Sequence, residues 1–170
     1  MLCRLFFIAG KSGMKMTIEQ VKAYLEECGL GDRVQEFTVS SATVELAAQA
    51  LGCEPCLIAK TMSFLVDGHV ALVVLAGDAR IDNAKFKAVF HQKAKMLSHE
   101  QVSEMTGFPV GGVCPFLAPQ DTRVYLDESL RRFEVVYPAA GSPSSAVRVS
   151  LEELERASKA AGWVCVSKLG

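Results

Sequence analysis

The chain has 170 residues, of which half are hydrophobic and 22% are charged, a composition typical of one globular domain with a substantial core. Its 18 lysine and arginine residues nearly balance 19 aspartate and glutamate residues, which leaves a net charge of −1. This balance excludes nucleic-acid binding through an overall positive field, and we expect no DNA partner. Any RNA would have to be held by a local basic patch.

The six cysteines are scattered along the chain, and a domain of this size does not need disulfides. We therefore expect reduced thiols and a cytoplasmic protein. No apolar run is long enough for a membrane span, so no membrane association is expected. Residues 1–15 form a leader that is too short for a convincing signal peptide, and we expect the functional domain to occupy residues 16–170.

Capping boxes predict where three helices begin, because a Ser or Thr side chain and a Gln or Glu three residues later satisfy each other's free amides. Glycines then indicate where these helices end. The boxes are Thr17 with Gln20, Ser98 with Gln101 and Ser150 with Glu153, and the glycines are Gly29, Gly107 and Gly162. Two more helices are predicted over residues 44–51 and 83–90.

Strands are predicted over residues 57–66 and 69–76, with Asp67 and Gly68 between them as a strong hairpin signal. Residues 70–75 are continuously apolar, as in a strand that is buried on both faces. Further strands are predicted over residues 123–126, 133–137, 146–149 and 163–166. Hairpins and crossovers together predict a mixed sheet in a single compact α/β (α+β) domain.

Lys60 lies in the first strand of this hairpin, on the same face as Ile58, Met62 and Phe64. An unpaired ammonium is costly to bury, so this position needs an explanation. Lys60 could belong to an edge strand, with its amine reaching water. Alternatively, it could be a cation placed inside a pocket to meet an anion. Taken alone, the segment leaves both interpretations open.

A loop within residues 105–117 contains Gly111 and Gly112, followed by Pro115. Glycine allows positive φ and close approach to a ligand, whereas proline stiffens the exit from the loop. Such a loop presents bare backbone groups that suit a small polar ligand or the carbonyl of an ester under attack. Most loops of this kind, however, are only tight turns.

Several segments, taken in order, resemble the YbaK/prolyl-tRNA editing-domain family over residues 17–166. They are residues 58–62, 77–78, 106–108, 111–115 and 140–141. The resemblance implies a partly barrel-like mixed sheet surrounded by helices. It also implies a deacylase that hydrolyses amino acids wrongly esterified to tRNA.

The resemblance implies that Lys60 holds the terminal nucleotide of the tRNA and that the loop from Gly111 through Gly112 to Pro115 positions the ester. No general base from the protein is clearly required, because the ribose hydroxyl or the aminoacyl side chain can assist. No metal or other cofactor is expected. The implied partners are an aminoacyl-tRNA and prolyl-tRNA synthetase.

Further residues are predicted to bind the substrate: Phe37, Thr43, Thr61, Val113, Cys114, Gly141 and Ser142. Structural roles are open for several of them, since Phe37 and Cys114 could be core residues, Thr43 a helix cap and Ser142 part of a polar turn. Bacterial deacylases of the family that act on Cys-tRNA(Pro) carry an acidic residue where this chain has Ala146, which puts cysteine specificity in doubt.

A basic stretch is the candidate tRNA-binding patch, although a solvated helix face is an equally good explanation. Its members are Arg80, Lys85, Lys87, Lys93 and Lys95. Cys53 and Cys56 have the spacing of a redox pair or half a zinc site. A second ligand pair is absent from the sequence, so a metal or redox role is disfavoured.

The leading hypothesis is a freestanding trans-editing hydrolase that deacylates mischarged tRNA, with tRNA(Pro) carrying Ala, Ser, Thr or Cys as the expected substrate. The alternative is a noncatalytic module that binds a nucleotide or an uncharged tRNA 3′ end. In the first case, Gly112→Val is expected to reduce activity more than stability, because a side chain there would obstruct the ester.

Overall fold

The computed structural model describes residues 15–41 and 43–170. The predicted leader therefore lies outside the described residues, apart from Lys15. Near the start of the described segment, the N–H of Met16 donates to the carbonyl of Gly107 and ties this segment to the fold. Within the described part of the chain, no helix has the length and apolarity needed to cross a membrane.

The α-helices of the described chain are α1 (Ile18–Glu27), α2 (Val44–Leu51), α3 (Asn83–Phe90), α4 (His99–Thr106) and α5 (Leu151–Ser158). The strands are β1 (Val34–Glu36), β2 (Ile58–Val66), β3 (His69–Ala76), β4 (Ala79–Ile81), β5 (Arg123–Asp127), β6 (Val135–Pro138), β7 (Ser145–Val147), β8 (Val149–Ser150), β9 (Gly162–Val164) and β10 (Ser167–Leu169). Short 3-10 turns cover Gly31–Arg33, Pro55–Leu57 and Glu128–Arg132.

The helix predictions are confirmed at the start of every helix. All three capping boxes form, and α2 and α3 have the predicted bounds. The predicted end of α5 near Gly162 is wrong. The helix stops at Ser158, where Lys159 takes the left-handed conformation with φ 52°, because Gly162 already begins strand β9.

The main sheet has six strands in the order β8-β6-β2-β3-β5-β9 and is curled into a half-barrel. The β2–β3 and β6–β8 pairs are antiparallel, whereas β2–β6, β3–β5 and β5–β9 are parallel. The mixed sheet predicted from the sequence is thus confirmed. Strand β3 lies in the middle and is fully buried from Val70 onward, as its apolar run predicts.

The hairpin turn between β2 and β3 is also confirmed. Asp67 and Gly68 both have positive φ, 50° and 79°, which is the type I′ pattern that matches the twist of the flanking strands.

The short strands β1, β4 and β10 were not predicted from the sequence. Strands β1, β4 and β10 each have three residues and mostly exposed or partly exposed side chains, so they carry no alternation signal. They form two separate antiparallel pairs, β1 with β7 and β4 with β10. The strand predicted over residues 146–149 is two strands that meet at Arg148, because β7 and β8 pair with different partners.

Strand β2 is covered along only part of its outer edge. It pairs with β6 at Ile58 and Ala59 alone. The segment around Met96 covers the edge again further along, where Leu97 donates to the carbonyl of Ser63 and Leu65 donates to that of Lys95. Residues 60–62 lie between these two contacts, and this gap determines where the candidate site forms.

Asp127 stabilises the end of the sheet from inside the core. Its buried carboxylate accepts hydrogen bonds from the amide of Ser129 at 3.0 Å, the amide of Val166 at 2.9 Å and the hydroxyl of Ser167. These contacts join the end of β5 to the segment that connects β9 with β10. A buried carboxylate with three donors is costly to remove, because each donor would lose its partner.

We expect Asp127→Ala to lower the free energy of unfolding by on the order of 3 kcal/mol. Urea unfolding followed by the fluorescence of the single tryptophan, Trp163, measures this loss. Asp121→Ala, at an exposed position, is the matched control and should change stability little. Equal stability of the two variants would contradict the proposed role of Asp127.

Candidate active site

A cavity of about 150 Å³ opens where the outer edge of β2 is uncovered. Its walls come from the start of α2, from β2, from the glycine loop after α4 and from the segment that joins β6 to β7. The lining residues are Ser41, Thr43, Val44, Ala47, Ile58, Ala59, Lys60, Thr61, Gly111, Val113, Tyr137, Ala139, Ser142, Ser145 and Ala146.

Lys60 is half-buried in this cavity, with its Nζ 3.4 Å from the carbonyl oxygen of Gly77. Burial lowers the pKa of the Lys60 amine, while the charges of Asp78 and Glu45 oppose this shift. A single long hydrogen bond leaves most of the donor capacity of the amine unused. The placement favours a cation inside a pocket over an edge lysine in water.

Gly77, whose carbonyl accepts from Lys60, occupies a position where a side chain would not fit. A Cβ there would lie 2.0 Å from the carbonyl oxygen of Pro55 and 2.8 Å from a methyl group of Val44. The next residue, Asp78, accepts two hydrogen bonds from the guanidinium of Arg132 at 3.0 and 2.5 Å.

These hydrogen bonds from Arg132 hold the pKa of Asp78 below its usual range. Asp78 therefore stays ionised near Lys60, but its hydrogen bonds go to Arg132. Lys60 feels the negative charge of Asp78 without a direct ion pair to it.

Thr61 presents unsatisfied polar groups to the same cavity. Its Oγ1 is buried and has no hydrogen-bond partner among the described residues. Ser63 and Leu65, two and four residues later, form their backbone hydrogen bonds on the side of β2 that faces away from β3. The N–H and C=O groups of a strand point to alternate sides from one residue to the next. The unbroken register with β3 carries this alternation back to Thr61, so its N–H and C=O also point to the uncovered edge.

The glycine loop forms a tight turn beside the cavity. The N–H of Gly112 donates to the carbonyl of Pro109 at 2.9 Å, and Gly111 has φ 84°, the pattern of a type II turn. The amides of Gly111 and Val113, which both line the cavity, donate to no other described residue. Two residues whose N–H groups have no acceptor among the described residues therefore line the space that Lys60 also lines.

The surroundings of Gly112 correct the expectation that a side chain there would mainly obstruct the ester. A Cβ at Gly112 would lie 2.9 Å from Cα of Ser142 and 2.9 Å from Cγ of Pro109. A larger side chain would thus displace the backbone of the neighbouring loop, not only a ligand. Gly112→Val should reduce stability together with activity, and it is a poor test of the site.

Not all the predicted site residues reach the cavity. Lys60, Thr61, Thr43, Gly111, Val113 and Ser142 line it, whereas Phe37, Gly112, Cys114, Pro115 and Gly141 do not. Cys114 is fully buried, with its Sγ 3.5 Å from the carbonyl oxygen of Phe116, and burial raises its pKa to about 12. Burial favours the core role of Cys114 that the sequence left open.

Gly141 and Thr43 have structural roles next to the site. Gly141 has φ 98°, and a Cβ there would lie 2.7 Å from a methyl group of Val21, so the turn it forms requires glycine. The hydroxyl of Thr43 caps α2 by accepting from the amide of Leu46, while Thr43 also lines the cavity. The two interpretations of Thr43 are compatible.

Several lining residues were missed by sequence reasoning, notably Ser41, Tyr137 and Ser145. Ser145 is buried, accepts from the amides of Ala140 and Ser142, and donates to the carbonyl of Ser142. It therefore fixes the turn that forms one wall. The cluster of serines at 142, 144 and 145 was the available signal, but it is also typical of an ordinary polar turn.

None of the predicted basic patch lines the cavity. Arg80 faces Lys168 across the β4–β10 pair, and Lys85 donates to the carbonyl of Ser167 at 2.8 Å. Lys87, Lys93 and Lys95 are exposed. A role of these residues in tRNA binding remains a prediction.

Cys53 and Cys56 are free thiols, and burial raises the pKa of both. A raised pKa reduces the thiolate fraction and with it the reactivity of a cysteine. Among the residues that the structure describes, no group of three or more His, Cys, Asp or Glu side chains could hold a metal ion.

Comparison with known proteins identifies the domain. The model of the aminoacyl-tRNA editing domain matches residues 38–157. The uncharacterised protein YwhH of Bacillus subtilis is 45% identical over 154 residues, which are 90% of this chain and 98% of YwhH. Proline–tRNA ligase of Maridesulfovibrio salexigens is 34% identical over 94 residues, which are 55% of this chain but only 16% of the ligase.

A solved structure with the same fold is that of a proposed trans-editing enzyme for prolyl-tRNA synthetase. It superimposes with a TM-score of 0.79 at 31% sequence identity, and the alignment covers 90% of this chain and 97% of that one.

The lowered pKa of Lys60 predicts how stability depends on pH. Between the folded-state pKa and the ordinary value of 10.5, the unfolded chain retains a proton that the folded chain has lost. The free energy of unfolding therefore gains a contribution that rises with pH in this window. Lys60→Met removes the titrating group and keeps an apolar stem of similar length.

We expect the stability difference between wild type and Lys60→Met to shift in favour of wild type as pH rises from 8 towards 10.5. Urea unfolding at several pH values measures it. Because both proteins share the other lysines, the contributions of those lysines to the pH dependence of stability cancel in the difference. A difference independent of pH would mean that the folded protein leaves the Lys60 amine in a water-like environment.

Proposed function

The chain belongs to the family of aminoacyl-tRNA editing domains, and we propose that it is a freestanding hydrolase that removes wrongly attached amino acids from tRNA. The single observation that carries the proposal is the meeting of the Lys60 amine and the free amides of the glycine loop in one small cavity. Such a hydrolase would work where tRNA is charged, in the cytoplasm.

In the proposed complex, the 3′ end of the tRNA enters the cavity with its terminal nucleotide beside Lys60. The ammonium supplies a point charge for a phosphate or ribose oxygen, and its desolvation strengthens that attraction. The ester carbonyl then faces the loop, where the amide of Gly111 or Val113 donates to its oxygen. Donors fixed in this way stabilise the oxyanion that develops during attack.

The proposed reaction is hydrolysis. A water oxygen adds to the ester carbonyl carbon, the bond from that carbon to the ribose oxygen breaks, and the ribose oxygen leaves with a proton as a hydroxyl group. The products are the free amino acid and uncharged tRNA. The lining residues include no histidine or carboxylate, so an intrinsic substrate group, such as the neighbouring ribose hydroxyl, is the proposed base.

An aminoacyl ester is already reactive, which is why positioning and carbonyl polarisation can supply much of the acceleration. The protein's proposed contribution is therefore geometric and electrostatic, and it needs no nucleophilic side chain.

The proposed substrates carry small amino acids: Ala, Ser, Thr or Cys. Support comes from the size of the cavity and from small apolar walls such as Ala47, Ala59, Ala139 and Ala146. A hydrophobic pocket discriminates one methylene by only about 1–3 kcal/mol, so rejection of the cognate amino acid must come from shape. Ala146 also offers no charge, which weighs against cysteine as the preferred side chain.

The proposed carrier is tRNA(Pro), and prolyl-tRNA synthetase is the proposed partner. Support comes from two relatives, the proline–tRNA ligase of Maridesulfovibrio salexigens and the proposed trans-editing enzyme for prolyl-tRNA synthetase.

Within this proposal, Thr61 binds the aminoacyl group itself. Its hydroxyl oxygen has no hydrogen-bond partner among the described residues, and its carbonyl oxygen, at the uncovered edge of β2, has no described donor either. The α-amino group of the substrate carries several N–H donors and would satisfy both. The protein would then bear the cost of a buried, unpartnered hydroxyl until the substrate binds.

A panel of aminoacyl-tRNAs tests the proposed function. We expect wild type to release at least one small amino acid from tRNA(Pro), and Lys60→Met to reduce kcat/KM at least 100-fold, about 2.7 kcal/mol. Lys15→Met, exposed and outside the cavity lining, is the control. Binding without turnover across the whole panel would instead identify a noncatalytic module for the tRNA 3′ end.

Thr61→Val separates function from stability. Valine has nearly the same shape but lacks the unsatisfied hydroxyl, so the free protein should become more stable by about 1 kcal/mol. Deacylation should fall about tenfold, or about 1.4 kcal/mol, because one acceptor for the α-amino group is lost. Thr61→Ser keeps the hydroxyl and should retain most of the activity. A Thr61→Val variant that loses stability, or that keeps full turnover, would contradict this role.

A further inference from the structure

A second cavity, of about 430 Å³, shares Tyr137 with the candidate active site. The hydrolysis proposed above does not use it. Its lining residues are Leu57, Arg132, Phe133, Glu134, Val135, Tyr137 and Arg148. They come from the 3-10 turn before β2, from the segment that enters β6, and from the junction of β7 and β8.

Strand pairing brings these residues together. Val135 and Tyr137 point to the same side of β6, while Val136 between them is buried in the core. Strand β8 runs antiparallel to β6 with Val136 opposite Val149. The same register, carried one residue further, places Arg148 opposite Tyr137. The fold thus places Arg148 and Tyr137 at opposite positions of neighbouring strands, and both residues line the second cavity.

The two arginines differ in what they can bind. Arg132 is engaged, because its guanidinium holds Asp78, donates to the carbonyl of Ser129 and lies 4.7 Å from the centre of the Phe133 ring. Arg148 is exposed and forms no ion pair with any described residue.

The carboxylate of Glu134 is likewise exposed and, among residues 15–41 and 43–170, makes no ion pair. Among the described residues, the cavity therefore offers a cation and a carboxylate that form no ion pair, together with the side chain of Tyr137; the ring of Phe133 already lies against Arg132.

We propose that this second cavity binds the cytidine that precedes the terminal adenosine of the tRNA 3′ end. The inference rests on the proposed function, which places the terminal adenosine in the neighbouring cavity. Consecutive nucleotides need adjacent sites, and the shared wall at Tyr137 provides them.

The chemistry of the lining matches a cytidine group by group. Tyr137, which lines both cavities, is the aromatic residue for base stacking, a sequence-tolerant contact in single-stranded RNA. Arg148 is the cation for the connecting phosphate, and a guanidinium suits phosphate geometry. Glu134 accepts from the exocyclic amino group of cytosine, the pairing that carboxylates make with this base. Uracil has a carbonyl oxygen in that position and would face the carboxylate without a donor.

Binding of uncharged RNA tests the inference independently of hydrolysis. The probes are two fluorescent RNA hairpins whose single-stranded 3′ ends read ACCA and ACUA. We expect wild-type protein to bind the ACCA hairpin about tenfold more tightly, the lower part of the range for one base contact. Glu134→Gln should remove this preference, since its amide can also donate to uracil.

Arg148→Ala tests the phosphate contact. It should weaken binding of both hairpins by the same factor and should reduce the slope of log K against log salt by about one. Arg123→Ala is the control, because Arg123 is exposed on β5, lines neither cavity and should leave both quantities unchanged. Thermal unfolding of each variant verifies that it is folded. We expect folded variants, because the substituted residues are exposed.

The outcomes separate the two proposals. A wild type that prefers the ACCA hairpin but hydrolyses no aminoacyl-tRNA would refute the proposed activity and leave the cytidine site standing. Equal affinity for the two hairpins, no measurable binding of either, or equal behaviour of Arg148→Ala and Arg123→Ala would overturn the cytidine site, whatever the protein hydrolyses.

Discussion

Strand β2 loses its outer neighbour after Ala59, where its pairing with β6 stops, and regains one at Ser63, where Leu97 donates to it. Over the residues between, one edge of a central strand has no strand or hydrogen-bond partner among the residues that the structure describes. An uncovered edge presents backbone N–H and C=O groups that need hydrogen bonds. The candidate site forms at this interruption, and the start of α2, the glycine loop and the turn after β6 close around it.

The electrostatics of the site follow from how its charges are distributed. Asp78 lies close enough to Lys60 to affect its pKa, yet its carboxylate is bound by Arg132. Within the part of the chain that the structure describes, the lysine amine has one carbonyl partner, and its surroundings are partly desolvated. This arrangement costs stability in the free protein and keeps a cation available for an anionic ligand. The buried hydroxyl of Thr61, which has no partner among the described residues, likewise costs stability and is available to a ligand.

Local signals made much of the fold predictable. Capping boxes, the Asp67-Gly68 turn and the apolar run of β3 each depend on neighbouring residues, so they can be recognised in a sequence. The pairing of short strands depends on distant partners and leaves no local pattern.

For the site, the resemblance to a known family named Lys60 and the loop. It could not show that Cys114 points into the core or that Gly112 packs against Ser142. The second cavity combines three distant segments and has no motif at all.

The burial of Cys114 has a chemical consequence for the glycine loop. A thiol with a pKa of about 12 contains almost no thiolate at neutral pH, and the thiolate is the form that peroxides and alkylating reagents attack. The thiols within reach of such reagents, Cys165 above all, lie elsewhere in the chain. The thiol of the glycine loop is therefore poorly reactive at neutral pH, and oxidants that modify the exposed thiols of this protein would leave this loop unmodified.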